Sequence, residues 1–327
     1  MKLYPWLLPV WTRLAERLKA GNLAHGLLFS GPAGVGKNAF AKLFVQYALC
    51  QNATVELLPC DACVSCHLFN AGTHPDFMWV EPEEEGKQLG VDRVRELATY
   101  LTLRPHTGSR KFAVLSPADA MNAFSGNSLL KSLEEPPPGS TLILITSRES
   151  ALLPTIRSRS QTWSFVPPER DVAKAWLVGR LEKPELADLL LGLTGGAPLR
   201  ALSFAQSGML EHRRDLWASL EALAQARIDP IKVAAQWSSI GAGTSLYWLG
   251  TWMTDMARLK FAVEPPLLGN PDLVDGLRAM AQSWQPDRLL RFASQVVAAQ
   301  RLALTSANRE LLLEDILLGW AESRAVR

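Results

Sequence analysis

The sequence predicts an α/β domain with a mainly parallel sheet, followed by domains made of helices alone. Three observations carry this. Short apolar runs alternate with amphipathic stretches up to about residue 165, a glycine-rich loop joins the first run to the first amphipathic stretch, and no convincing strand pattern follows residue 166. The runs GLLFS (26–30), DFMWVEP (76–82), KFAVLS (111–116), TLILIT (141–146) and QTWSFV (161–166) read as strands. Their near-continuous apolar character suits a sheet covered on both faces. Helical patterns lie between them at about 37–50, 91–103 and 123–135. Such alternation implies parallel strands joined by crossover helices.

The stretch VPPER (166–170) punctuates the chain. Beyond it, helical periodicities are broken by LTGGAP (193–198), RIDP (227–230), IGAGTS (240–245) and VEPPLLGNPD (263–272). A chain of 327 residues exceeds one ordinary core, so two or three domains are expected. The boundaries read as 1–166 for the sheet domain, 167–207 for a small helical lid and 208–327 for a bundle of five or so helices.

Hydrophobic residues make up 48% and charged residues 20%, and the formal net charge is +2. That charge is too small to mark nucleic acid or a membrane surface as a partner by itself. The opening MKLYPWLLPVWTRLAERLKA has a short apolar stretch with two prolines and runs into Arg13, Glu16, Arg17 and Lys19 without a cleavage site, unlike a secretion signal. No segment approaches the roughly 18 uninterrupted apolar residues of a membrane span. No membrane contact and a cytoplasmic location are expected. Several of the eleven tryptophans sit on apolar helical faces in the C-terminal half, where core and subunit-interface packing are both open readings.

The loop Gly31-Pro32-Ala33-Gly34-Val35-Gly36-Lys37-Asn38 follows the first strand and opens the first helical pattern. It meets the phosphate-loop rule G-x-x-x-x-G-K-[S/T] except at its last position. Glycines let backbone N–H groups turn inward, the helix N-terminus adds positive potential, and Lys37 can reach outer phosphates. Asn38 stands where a hydroxyl should hold Mg²⁺. A second magnesium position is also altered: KFAVLS ends in Ser116-Pro117, where an ATPase would place an acid and then a water-activating Glu. Asp119 is close, but it would have to sit on a different side of the turn to substitute. Without these groups efficient hydrolysis is not expected, while binding of ATP or another nucleotide stays open.

All four cysteines fall between residues 50 and 66. Cys60, Cys63 and Cys66 have ligand spacing, and Cys50 can return as the fourth. Four thiolates suit a closed, structural Zn²⁺ site. Two disulfides or four unrelated thiols are the competing readings; the expected location disfavours the first and the clustering the second.

The segments AGTHPDFMWVEPE, LGVDRVRELATYL, NSLLKSLEEPPPGSTLILIT and LLPTIRSRSQTWSF resemble the clamp-loader branch of the AAA+ ATPases. The resemblance is dense over 22–166, weaker over 167–207, and rests on length and helicity beyond. It implies an AAA+ P-loop domain with an inserted zinc module, a helical lid and a C-terminal all-α collar for oligomerisation. It also implies a five-subunit ring, with gamma/tau-like and delta-like subunits as partners, that uses ATP to load a sliding clamp onto primed DNA. The altered magnesium positions fit a non-hydrolysing member; the alternative is an active gamma/tau-like ATPase.

In TIRSRS the family's Ser-Arg-Cys signature appears with Ser160 for the cysteine, which makes Arg159 an arginine finger acting on a neighbour's nucleotide. The resemblance further puts Thr146 at the first nucleotide-sensing position and Arg200, in GGAPLRALSF, at the second. Lys131, Glu134 and Glu135 in LLKSLEEPP fit the family too, although a solvated helix end before a proline stop would explain the acids equally well. A zinc-dependent DNA-reading finger is disfavoured, because ELLPCDACVSCHLFN contains no Lys or Arg.

Overall fold

All five apolar runs become strands of one parallel sheet: β1 (Gly26–Ser30), β2 (Phe77–Val80), β3 (Lys111–Leu115), β4 (Ser140–Thr146) and β5 (Gln161–Ser164), in the order β2-β3-β4-β1-β5. The structure is a computed structural model and describes residues 3–84, 87–262, 265, 268–303, 305 and 307–325. The chain divides into two units, Met1–Pro168 and Glu169–Arg327.

In the first unit the helices are α1 (Leu8–Lys19), α2 (Lys37–Leu49), α3 (Val64–Asn70), α4 (Val91–Thr102), α5 (Ala123–Glu134) and α6 (Pro154–Arg159). Strand residues alternate between the two sheet faces, and both are covered. Leu28, Ala113, Leu115, Leu142 and Leu144 share a core with Val94, Leu97 and Leu101 of α4 and Leu129 and Leu133 of α5. The other face is aromatic: Phe40 sits 5.6 Å from Phe29 and 5.5 Å from Trp11 of α1, and Phe44 meets Phe112 edge-on. This double burial is why the strands read as unbroken apolar runs.

Register aligns Ser30 with Thr146 and with Ser164, and Leu115 with Leu144. The carboxyl ends of the central strands therefore share one edge, the place where open parallel sheets gather their ligand-binding loops.

The HPD stretch before β2 is structural. Asp76 is fully buried and accepts from His106 N (2.7 Å), Thr107 N (2.8 Å) and Thr107 Oγ1 (2.7 Å). Burial alone would raise its pKa, but these donors and Lys111, 3.5 Å away, hold it below the usual carboxylate value. Lys111 is itself buried, with Nζ 4.1 Å from the Tyr100 ring centre.

The second unit contains α7 (Arg170–Val178), α8 (Ala187–Leu193), α9 (Pro198–Gln206), α10 (Met209–Ala224), α11 (Pro230–Ile240), α12 (Ala242–Phe261), α13 (Val274–Ser283), α14 (Pro286–Leu302) and α15 (Arg309–Ala325), with no strand among its described residues. Prolines start α9, α11 and α14, where a missing N–H costs nothing. The breaker VEPPLLGNPD falls partly on 263, 264, 266 and 267, outside the described residues.

Trp237, Trp248, Trp252 and Trp320 are fully buried here, so these four are core. Arg213 makes a bidentate pair with Asp272 and bonds Asn270, whose amide donates to buried Asp255, tying α10 to α12. Among the described residues no helix is long and apolar enough to cross a membrane.

Candidate functional site

The glycine loop lies at the carboxyl edge of the sheet, directly after central β1. Gly31 has φ 153°, and a Cβ there would stand 1.9 Å from the Phe165 carbonyl oxygen. Gly34 and Gly36 also take positive φ, and Gly36 caps α2. Pro32, Ala33 and Val35 complete the turn. The N-terminal segment leans on it: Trp6 Nε1 donates to Val35 O at 2.9 Å, Tyr4 stacks on Trp6 at 5.0 Å, and a Cβ on Gly36 would meet the Tyr4 ring at 2.8 Å. Nothing in the motif pattern singles out these two aromatics.

Lys37 is buried and turns back into its own loop. Its Nζ donates to Gly31 O (2.5 Å), Pro32 O (2.7 Å) and Ser147 Oγ (3.3 Å). Burial draws its pKa down from 10.5 to about 8, partly offset by the charge of Asp119. The next residue, Asn38, accepts a hydrogen bond from Ser116 Oγ at 3.0 Å. The two altered magnesium positions are thus bonded to each other.

Thr146, at the end of β4, is brought to the same edge, where its carbonyl accepts from Gly31 N at 3.3 Å. Its hydroxyl donates to Asp119 Oδ1 at 2.8 Å and accepts from Arg148 N at 3.0 Å. Asp119 also takes Ser147 N and Arg148 Nε. It answers the β4 turn.

Arg159 lies at the end of α6, on the opposite side of the sheet. A Cβ on Gly26, the first residue of β1, would be 3.2 Å from the Arg159 carbonyl, which puts this arginine at the amino edge. Its Nη2 pairs with Glu134 Oε1 at 2.8 Å, and Nη1 donates to Thr155 O and Ser158 Oγ, both at 3.3 Å. The side chain is 38% exposed.

The four cysteines converge. The Sγ atoms of Cys50, Cys60, Cys63 and Cys66 all lie within 4.8 Å of one another. Cys50 Sγ is 3.5 Å from that of Cys60 and 3.9 Å from that of Cys63. Tetrahedral zinc with Zn–S of about 2.3 Å calls for sulfurs about 3.8 Å apart, so the set fits such an ion. Backbone N–H groups of Cys60, Cys63 and Cys66 point at Cys50, Cys60 and Cys63 sulfurs respectively. Burial opposes the Cys63 thiolate, yet N–H groups of Cys66 and Gln51 outweigh it and bring its pKa to about 6; burial and the neighbouring thiols push Cys66 up.

The excursion is pinned to the sheet domain by its neighbours. Gln46 of α2 donates to Asp61 and Asn70, and Ser65 donates to Leu49 O at 2.6 Å. His74 receives the Asp76 N–H on Nδ1, so Nε2 carries the proton that Ser65 Oγ accepts at 2.9 Å.

Comparison with known proteins gives a consistent result. The family described as "DNA polymerase III, delta subunit" matches residues 8–169, and "DNA polymerase III, delta subunit, C terminal" matches 207–322. The DNA polymerase III subunit delta' of Pseudomonas aeruginosa is 34% identical over 323 residues, covering 98% of this chain and 97% of that protein. This chain belongs to the delta' family of DNA polymerase III subunits. The Escherichia coli delta' subunit is 32% identical, covering 97% and 95% of the two chains. A crystal structure of a DNA polymerase III gamma subunit-related protein from Thermotoga maritima aligns over 97% of this chain and 99% of its own, with TM-score 0.45 and 16% identity.

In this delta' family member, Arg200 lies on α9 of the second unit. Its guanidinium stands 4.5 Å from the Tyr247 ring centre and 5.2 Å from that of Phe204. The first unit therefore brings together the loop, Lys37, Asn38, Ser116 and Thr146; Arg159 is at its other edge, and Arg200 belongs to the other unit. Ser147 and Trp6 were invisible in the sequence, because they act on the loop through one hydroxyl and one indole N–H.

Proposed function

We propose that this chain is a non-hydrolysing delta' subunit of a DNA polymerase III clamp loader. It assists ATP-driven loading of the sliding clamp onto primer-template DNA, in a five-subunit ring with gamma/tau-like and delta-like partners. The observation that carries the reading is the Asn38–Ser116 hydrogen bond, which joins the two positions where a phosphate-loop ATPase would hold Mg²⁺.

In this reading the loop is a structural turn filled by its own Lys37, and ATP is not needed to define it. The two nucleotide-sensing positions are likewise engaged at home, Thr146 with Asp119 and Arg200 with Tyr247. The working contribution to ATP chemistry is Arg159, whose planar charge acts on the terminal phosphate of a neighbour's nucleotide. Cys50, Cys60, Cys63 and Cys66 hold a structural Zn²⁺ that fastens the end of α2. The segment 167–207, whose helices from Glu169 on belong to the second unit, serves as the lid, and 208–327 as the collar through which subunits associate. As a replication subunit the chain works in the cytoplasm.

The test is reconstitution with the catalytic subunits, clamp and primed DNA. Arg159→Ala is expected to leave the chain folded and to cut turnover at the one site it serves, on the scale of about 10³-fold for an arginine finger. Unchanged turnover removes that assignment. Magnesium-dependent turnover by the purified chain, abolished in Lys37→Ala, would instead establish an active ATPase.

A further inference from the structure

We propose that Glu134 is the resident counter-ion of Arg159, and that the guanidinium exchanges this carboxylate for the terminal phosphate of a nucleotide held by the neighbouring subunit. The proposal rests on the reading of Arg159 as a finger in trans.

Glu134 is the last residue of α5, and Glu135 follows it. A carboxylate at a helix C-terminus faces the negative end of the helix dipole, so an acid there gains from a cation supplied by another element. Arg159, at the end of α6, supplies it through Nη2 at 2.8 Å. Its other terminal nitrogen, Nη1, is taken by Thr155 O and Ser158 Oγ. Both terminal nitrogens that would grip a phosphate bidentately are therefore engaged inside the chain.

The pair is open to exchange. The two side chains are 38% and 48% exposed, so an incoming anion can reach the guanidinium. An exposed ion pair of this kind changes an equilibrium by a factor of about two to five. A polyphosphate carries more charge and forms shorter, charge-assisted bonds to the guanidinium fork, so it displaces the carboxylate. Glu134 thus sets the concentration of nucleotide at which the finger is drawn across.

The test uses the reconstituted loader. Glu134→Gln keeps the size of the side chain and removes its charge; it is expected to lower the KM for ATP about two- to fivefold with kcat unchanged. The difference should shrink at high salt, where exposed pairs are screened. Glu134→Asp should restore most of the wild-type KM. Glu135→Gln, the same charge change one residue on, should leave KM at the wild-type value. A purely structural role for Glu134 would move the melting temperature and not KM.

An unchanged or raised KM in Glu134→Gln, a fall in kcat, or an equal effect in Glu135→Gln would each overturn the proposal. Arg159→Ala measured alongside separates the two readings. If it lowers turnover while Glu134→Gln changes nothing, only the counter-ion role falls. If Arg159→Ala is itself without effect, both fall together.

Discussion

Ser116 donates its hydroxyl to the side-chain oxygen of Asn38 at 3.0 Å, across 78 residues of sequence. Each residue occupies a position where phosphate-loop enzymes hold magnesium, and each satisfies the other. We expect the purified chain to show no magnesium-dependent ATP turnover. Its melting temperature should also stay constant as Mg-ATP is raised into the millimolar range. A ligand that binds only the folded state raises the melting temperature by mass action, so a concentration-dependent rise would contradict the self-filled loop.

Lys37 makes the loop sensitive to alkaline pH. Its folded pKa of about 8 lies below the ordinary 10.5, so between these values the unfolded chain binds the extra proton. The contribution of this group to stability is complete above 10.5 and is lost as pH falls towards 8. Denaturant titrations of wild type and Lys37→Met, compared from pH 8 to 10.5, should show wild type gaining on the variant. Parallel curves would mean that the lysine is not desolvated.

The cysteine cluster yields a stability test. Cys63→Ser should lose bound zinc, measured by metal analysis, and lower the melting temperature. In the wild-type chain a strong chelator should do the same. Full stability in chelator would count against a structural metal.

Gly31 offers a test of backbone geometry. At φ 153° a new Cβ would lie 1.9 Å from the Phe165 carbonyl oxygen, so main chain must move. Gly31→Ala should destabilise the fold by about 3 kcal/mol or more. Gly21→Ala, at φ 74° with nothing within 4 Å of its Cβ, should cost about 1 kcal/mol. Similar melting temperatures for the two would show that Phe165 yields easily.

The sheet was readable because both faces of the inner strands β1, β3 and β4 are buried, leaving no polar alternation there to confuse them with a surface helix. The cysteine spacing was readable for a similar reason: thiols at ligand spacing are informative without any fold. α1 escaped notice because Pro5 and Pro9 look like breakers, yet Pro9 sits in the first turn, where proline is tolerated. The partners of Lys37 left no trace, since two of the three are carbonyls, which every residue has. Asp119 could be seen near the catalytic position but not oriented; only the turn at 118–120 aims it at Thr146, Ser147 and Arg148. The buried tryptophans of α12 were ambiguous because an apolar helical face packs equally well into a core or against another subunit, and only the fold encloses Trp248 and Trp252.

β1 separates two features, the glycine loop at one end and the Arg159 backbone at the other. Gly31 opens the loop after its last residue, and Gly26 at its start touches the Arg159 backbone; five strand residues put about 17 Å between them. A subunit with a live cradle on one edge and a live arginine on the other can join copies of itself head to tail without limit, as any heterologous contact can. On the proposed reading of Arg159, in which only the arginine edge takes part in the chemistry, this chain would resemble a monofunctional monomer in a polymerisation. Such a subunit would complete one junction without starting the next. A row of motors that ends on such a subunit has a fixed length and a fixed direction, both written into the two ends of a single β-strand.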